Sequence, residues 1–288
     1  MTWKTQSLSL RKMSSVFGHA FIYVYQDEYK QTRATYNSPT NMFIVHDNSI
    51  EERPLFAVRY TFNENNQEGI GQVITNDEII DATFTTGGTV RFGERTQHIY
   101  NSIPVVELTE NEERQSIFES VKTLINALNK AASEKANDVD YFADAYMKVL
   151  GVELEEEDAS QIRENRIFNL WKTGDGPLPE VAFLEKPSSD TTQENLISLL
   201  KESIFAISMV ANMSESEFGN SSGTALAFKL QAMDNLARMK DRKLQSAFNR
   251  LYRIVFSVPL TTVYEDAWTG LSYTFTRNVP RNILEEAI

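Results

Sequence analysis

With 288 residues the chain is long enough for one large domain or two ordinary ones, each with a real core. It has no cysteine, which excludes a disulfide framework and thiol catalysis, and its three histidines, His19, His46 and His98, are too scattered for a metal centre. A formal net charge of -12 argues against a protein that grips nucleic acid over its whole surface, because such proteins neutralise phosphates with Lys and Arg; it does not exclude one that DNA slides through. No stretch approaches the roughly 20 apolar residues of a membrane span, and no signal-peptide core follows Met1, so the chain reads as soluble and intracellular.

The first hundred residues read mostly as β. An amphipathic helix over about residues 5–17, stopped by Gly18, precedes runs rich in β-branched and aromatic residues: 21–25, 32–36, 42–45, 54–62, 72–75, 79–84 and 89–92. Turn-rich segments separate them, and the spacing predicts an antiparallel meander.

From Thr109 the period changes. Thr109-Glu-Asn-Glu112 fits a capping box, in which hydroxyl and carboxylate satisfy free amides at a helix start. Ile117, Val121, Leu124 and Leu128 then share one helical face. A second helical stretch around Val139, Phe142, Tyr146 and Val149 ends at Gly151, and the acidic run Glu153 to Asp158 reads as a solvated loop or face. Residues 166–172 and 180–186, joined by a Gly- and Pro-containing turn, read as a hairpin. Another capping box, Thr191-Thr-Gln-Glu194, opens a helix through Leu196, Leu200, Ile204 and Ile207 to about Val210.

A polar loop leads into the longest helix of the chain. Leu226, Leu230, Met233, Ala237, Leu244, Phe248, Leu251 and Val255 fall on one face, with no proline or glycine between Thr224 and Val258. At 1.5 Å per residue this is a rod of roughly 50 Å, which needs other helices or neighbouring subunits to pack along. Its other face carries Lys229, Arg238, Lys240, Arg242, Lys243, Arg250 and Arg253 against Asp234 and Asp241, a basic surplus within an acidic protein. These cations would either present positive rings or pair with acidic neighbours across subunits. A strand-like segment, residues 271–276, follows.

Catalytic motifs are absent. There is no Walker-type Gly-x-x-x-x-Gly-Lys-Ser/Thr, and Gly69, Gly71, Gly87 and Gly88 do not form a dinucleotide fingerprint. His46 and Asp47 are adjacent, so on a strand they point to opposite faces. Asp140 and Asp144, with Asp138 nearby, are placed to hold a cation, but a hydrated helix surface is the commoner arrangement. Tyr23, Tyr25, Phe43 and Phe56 read as core aromatics rather than a base-stacking platform, because no basic residues interleave with them. No catalytic residue, cofactor or metal is assigned.

The order β-rich region, helix, hairpin, helix, polar loop and very long helix resembles the phage portal fold, an α+β architecture. Several strings are similar to the portal family of long-tailed phages that infect Gram-positive bacteria: 35–39 with 42–45, 54–60, 103–107, 137–146 and 222–229. The similarity spans nearly the whole chain, and its specificity comes from the order and joint occurrence of these strings. It implies a ring subunit, usually one of twelve, without enzymatic activity, at the capsid portal vertex of the virion after assembly in the host cytoplasm.

By that resemblance residues 1–108 form the β-rich wing, 109–150 a stem helix leading to the clip, 151–189 the clip, 190–210 the returning stem helix, 211–223 the tunnel loop and 224–258 the long wing helix. Residues 259–288 form a wing strand and the start of a crown, the crown and part of the N-terminal wing being expected to be missing. The tunnel loop would face double-stranded DNA through Asn212, Ser214, Glu215, Ser216, Glu217 and Asn220, without sequence specificity. The clip would meet the terminase large subunit and a head-tail adaptor through Arg166, Trp171, Lys172 and Asp175. Leu226, Leu230, Met233, Leu244, Phe248 and Leu251 would pack the long helix against neighbours. Scaffold and major capsid proteins are further implied partners, and a membrane is not. A non-viral helical scaffold and a carboxylate-dependent hydrolase are the competing readings.

Overall fold

Strand β1, His19–Gln26, is buried at five consecutive positions, Ala20 to Val24, a run without period-two alternation. Such a run needs cover on both faces of its sheet. The computed structural model, which describes residues 3–63, 68–143, 147–150, 180–183, 190–213, 223–259 and 262–277, shows that cover. β1 is the middle strand of a three-stranded sheet, between β2 (Thr32–Asn37) and β8 (Val105–Thr109), antiparallel to each. Ala20, Ile22 and Val24 face helix α1 (Trp3–Phe17) and the long helix α4 (Gly223–Phe256), meeting Leu10, Leu244, Ala247, Leu251 and Ile254. Phe21 and Tyr23 point the other way, onto Met42, Ala57 and Ile74 of a second sheet. Burying an aliphatic side chain of this size is worth about 1.5–3 kcal/mol, so this double-sided strand is the centre of the core.

The second sheet is the meander read from the sequence: β3 (Met42–His46), β4 (Pro54–Asn63), β5 (Glu68–Ile74), β6 (Glu78–Thr85) and β7 (Val90–Gln97), paired in that order and antiparallel throughout. The aromatic residues divide between its faces. Tyr23 lies in the core with Tyr25 packed against it, whereas Phe43 projects from the opposite face and stays exposed. There it meets Tyr60, which in turn meets Phe84, and Phe84 stacks on Phe62, with ring centroids 6.0–6.2 Å apart.

These elements, with residues from Phe205 onward, make one of two compact units, Met1–Val121 with Phe205–Ile288; the other is Lys122–Ile204. Within the second unit, helix α2 (Lys122–Ala143) and the greater part of helix α3 (Asp190–Ser208) are linked by Lys135 Nζ donating to Glu194 at 2.7 Å and Gln193 Nε2 donating to Asp138 at 3.0 Å. A two-stranded pair, β9 (Met147–Leu150) and β10 (Glu180–Phe183), belongs to the same unit.

Several sequence expectations need correction. Thr109-Glu-Asn-Glu112 does not open a helix: Thr109 ends β8 opposite His19, and α2 begins only at Lys122 after a 3₁₀ turn, Glu119–Val121. The cause is Asn111, whose side chain donates to Gln115 O at 2.9 Å and accepts from Gln115 N at 2.8 Å, closing a turn that competes with helix. α2 then runs without a break through Asn137. Val149, read as helical, lies in a strand, and residues 180–183 pair with 147–150; the expected partner, 166–172, lies outside the described residues. Glu194 binds Lys135 on the neighbouring helix, and α3 starts at Asp190. Residues 271–276 form no ladder; a 3₁₀ turn, Glu265–Gly270, precedes them, and Phe275 packs irregularly against the core.

Candidate functional site

α3 ends where the backbone turns left-handed at Met209, with φ of 57°. Val210 N reaches back to Phe205 O at 3.2 Å and Met209 N to Ala206 O at 3.4 Å, the two bonds of a Schellman cap. A methionine in place of the usual glycine costs on the order of 1 kcal/mol, so the surrounding structure holds this exit from α3. The polar loop starts here. Asn212 is half-buried, while Ser214, Glu215, Ser216, Glu217 and Asn220 lie outside the described residues, as do Arg166, Trp171, Lys172 and Asp175.

Beyond the loop, α4 appears as the sequence foretold, 34 residues long. Leu244 and Leu251 are buried in the chain's own core with Phe248 packed against it; Leu230 is buried, Met233 half-buried, and the side chain of Leu226 is outside the description. Phe228 and Met239 stay exposed.

The middle of the basic face of α4 is neutralised within the chain. Arg238 binds Asp234 one turn away, Lys243 binds Glu112, and Asp241 collects both Arg11 and Arg277. Arg277 also meets Asp234, and Arg11 lies 5.3 Å over the Phe275 ring. Lys240 pairs with Glu110, whose side chain is only 6% exposed. Ser14 and Ser15 donate to the other oxygen of Glu110 at 3.2 and 3.3 Å, and Lys240 also donates to Ser15 at 3.1 Å. This buried knot joins α1, β8 and α4. It had no signature in the sequence, because the contacts to Glu110 and Lys240 join residues 95 or more apart.

A second charged group sits at the start of β1. Glu107 takes two bonds from Arg114, at 2.7 and 3.1 Å, and lies 3.8 Å from His19 Nδ1, which is buried without a hydrogen bond. Burial lowers the His19 pKa below 6.5; Glu107 opposes this and Arg114 reinforces it. Above about pH 6.5 the ring is neutral whether folded or unfolded. As pH falls through that value the unfolded chain takes up the proton first, so stability declines until the lower folded pKa is passed. His19→Gln is therefore expected to lose less stability than the parent between about pH 7.5 and pH 5 in denaturant titrations. Parallel curves for the two proteins would contradict this.

Residues 4–287 match the family described as phage portal protein, SPP1 Gp6-like. The chain belongs to this family. The match takes in both units of this portal chain, the loop region and α4. A portal protein of Clostridium phage phiCD119 is 22% identical over 193 residues, covering 66% of the present chain and 42% of the relative. The matched part thus spans less than half the length of that relative.

Proposed function

We propose that the chain is a non-enzymatic subunit of the ring at a phage capsid's portal vertex, where it lines the channel for genome packaging and ejection. The family match over residues 4–287 carries this reading. α3, its capped exit, the polar loop and α4 supply elements a channel subunit needs: a stem helix, a constriction loop with a fixed root, and a long rod for neighbours to pack against.

In this reading the first unit is the wing, α2 and α3 form the stem, and residues 151–189, entered through β9, form the clip. The clip meets the terminase large subunit during packaging and a head-tail adaptor afterwards, through Arg166, Trp171, Lys172 and Asp175. Scaffold and major capsid proteins surround the ring, which is assembled in the host cytoplasm and ends in the virion. Of the residues expected to pack subunits, Leu226 and Met233 are left for contacts along α4, since Leu230 is buried within the chain and Leu244, Phe248 and Leu251 are already held in its core. The intrachain pairing of Arg238, Lys240 and Lys243 leaves no continuous basic stripe on α4, and an acidic, polar loop offers duplex phosphates no deep well. Such a lining suits sliding better than holding.

Negative-stain microscopy and mass photometry of the purified chain test the assembly. Rings with a central hole, dodecameric by family expectation, are the predicted outcome. A uniform population of dimers or trimers would instead support a helical scaffold and remove the channel.

A further inference from the structure

A cleft of ≈ 810 Å³ lies in the first unit between the last turns of α4, the 3₁₀ turn at residues 265–270 and the loops preceding β4 and β6. Its helical wall presents Asn249, Arg250 and Arg253. Arg250 and Arg253 are i,i+3 neighbours and Asn249 and Arg253 are i,i+4, so all three project from one side of the helix with Cβ atoms about 5–6 Å apart. Ile254 and the buried hydroxyl of Ser257 form the floor; that hydroxyl is already used, donating to Ile254 O and accepting from Asn101 N.

The two guanidiniums differ from the paired cations earlier on α4. Arg238, Lys240 and Lys243 each have a carboxylate within ion-pairing distance, and Arg250 and Arg253 have none among the described residues. Three glutamates also reach this cleft. Glu51 is taken by Arg53 at 2.5 Å, Glu52 acts on Arg114, and Glu265 stands exposed on the 3₁₀ turn. The nearest influences on Arg250 are burial and the charge of Arg253, both lowering its pKa, with only Glu107 opposing them, and Glu107 is already clasped by Arg114. Two like charges lie together with a half-buried amide beside them and no carboxylate among the described residues within ion-pairing distance of either, while Glu52 and Glu265 line the same cleft at longer range. The negative end of the α4 dipole, worth roughly half a charge, does not cancel two full cations.

We propose that Arg250 and Arg253 form an oxyanion site, in which the two guanidiniums and the Asn249 amide clasp a carboxylate or phosphate group. Arginine suits this task, since its planar fork of donors matches both groups in bidentate fashion. The site stands apart from the channel reading and does not depend on how the chain assembles.

Thermal unfolding of the full chain in inorganic phosphate, in glutarate and in sodium chloride at matched ionic strength tests the site. A saturable rise in Tm, about 3 °C at tenfold excess over Kd, is expected with phosphate or glutarate and not with chloride. A rise with phosphate alone marks a phosphate-bearing ligand, and a rise with both marks any oxyanion, carboxylates included. Arg250→Gln with Arg253→Gln should abolish the rise, while Arg242→Gln, which alters an exposed arginine outside the cleft, should keep it. If the double variant does not fold, Arg253→Gln alone should weaken binding at least tenfold. Equal shifts in all three salts, no shift in any, or shifts that survive the Arg250 and Arg253 changes would overturn the proposal.

Discussion

Replacing Gly18 with alanine is expected to destabilise the first unit by about 3 kcal/mol, with a fall in Tm of roughly 6–12 °C. Gly18 has φ of 83°, a region that costs an L side chain on the order of 1 kcal/mol. The larger part is steric: a Cβ there would lie 1.9 Å from Arg114 O and 2.8 Å from Gln115 C. Those atoms cannot easily retreat. The Asn111 turn fixes Gln115 from one side, Ile117 N binds Ser15 O at 3.1 Å, and Glu110 N binds Gly18 O at 2.7 Å. Gly88 provides the control, with φ of 80° and nothing within 4 Å of its would-be Cβ. Gly88→Ala should therefore cost only about 1 kcal/mol. Equal costs for the two variants in denaturant unfolding would show that the close approach at Gly18 is not tight.

Gly18 also shows how far the sequence could be read. Its place after an amphipathic run marks a helix stop, and α1 does end at Phe17. The reason glycine is required there is the carbonyl of Arg114, almost a hundred residues away, which no local pattern announces. The Thr109 capping box erred for a related reason. Four residues fit the motif, but Asn111 closes a competing turn with Gln115, Glu110 and Glu112 are drawn to Lys240 and Lys243 on α4, and β8 before them is only five residues long, too short for its pattern to mark a strand. The meander β3 to β7 was legible because each strand is short, rich in β-branched or aromatic residues and bounded by turns. α4 was legible because its period holds for 34 residues. What α4 packs against was not: its periodicity fits a subunit interface as well as the core that Leu244, Ala247 and Leu251 enter. Of the candidate site, the position of the loop between two helices could be read, and the cap at Met209 could not, since methionine carries no turn signal.

The second large effect is expected at Glu110. Removing one partner of a buried ion pair ordinarily costs about 3–5 kcal/mol, because the other charge is left without compensation. Glu110 is 6% exposed and Lys240 27%, so water can still reach the lysine, and Glu110→Ala should cost about 2–3 kcal/mol. One carboxylate oxygen meets Lys240 as an ion pair off the hydrogen-bonding direction, and the other accepts from Ser14 and Ser15. Glu110→Gln keeps an acceptor for the serines and loses only the charge, so it should fall between the parent and alanine. A double-mutant cycle with Lys240→Ala should give a coupling of about 1–2 kcal/mol. That coupling should change little between low and moderate salt, unlike that of the exposed Arg238–Asp234 pair. Because the knot clamps the middle of α4 to α1 and β8, its loss should also loosen the helix that follows the proposed tunnel loop. Amide exchange along residues 230–245 should then rise in Glu110→Ala while the meander β3 to β7 stays protected. A coupling near zero, or an equal rise in exchange throughout the first unit, would mean that the cluster does not set the seat of α4.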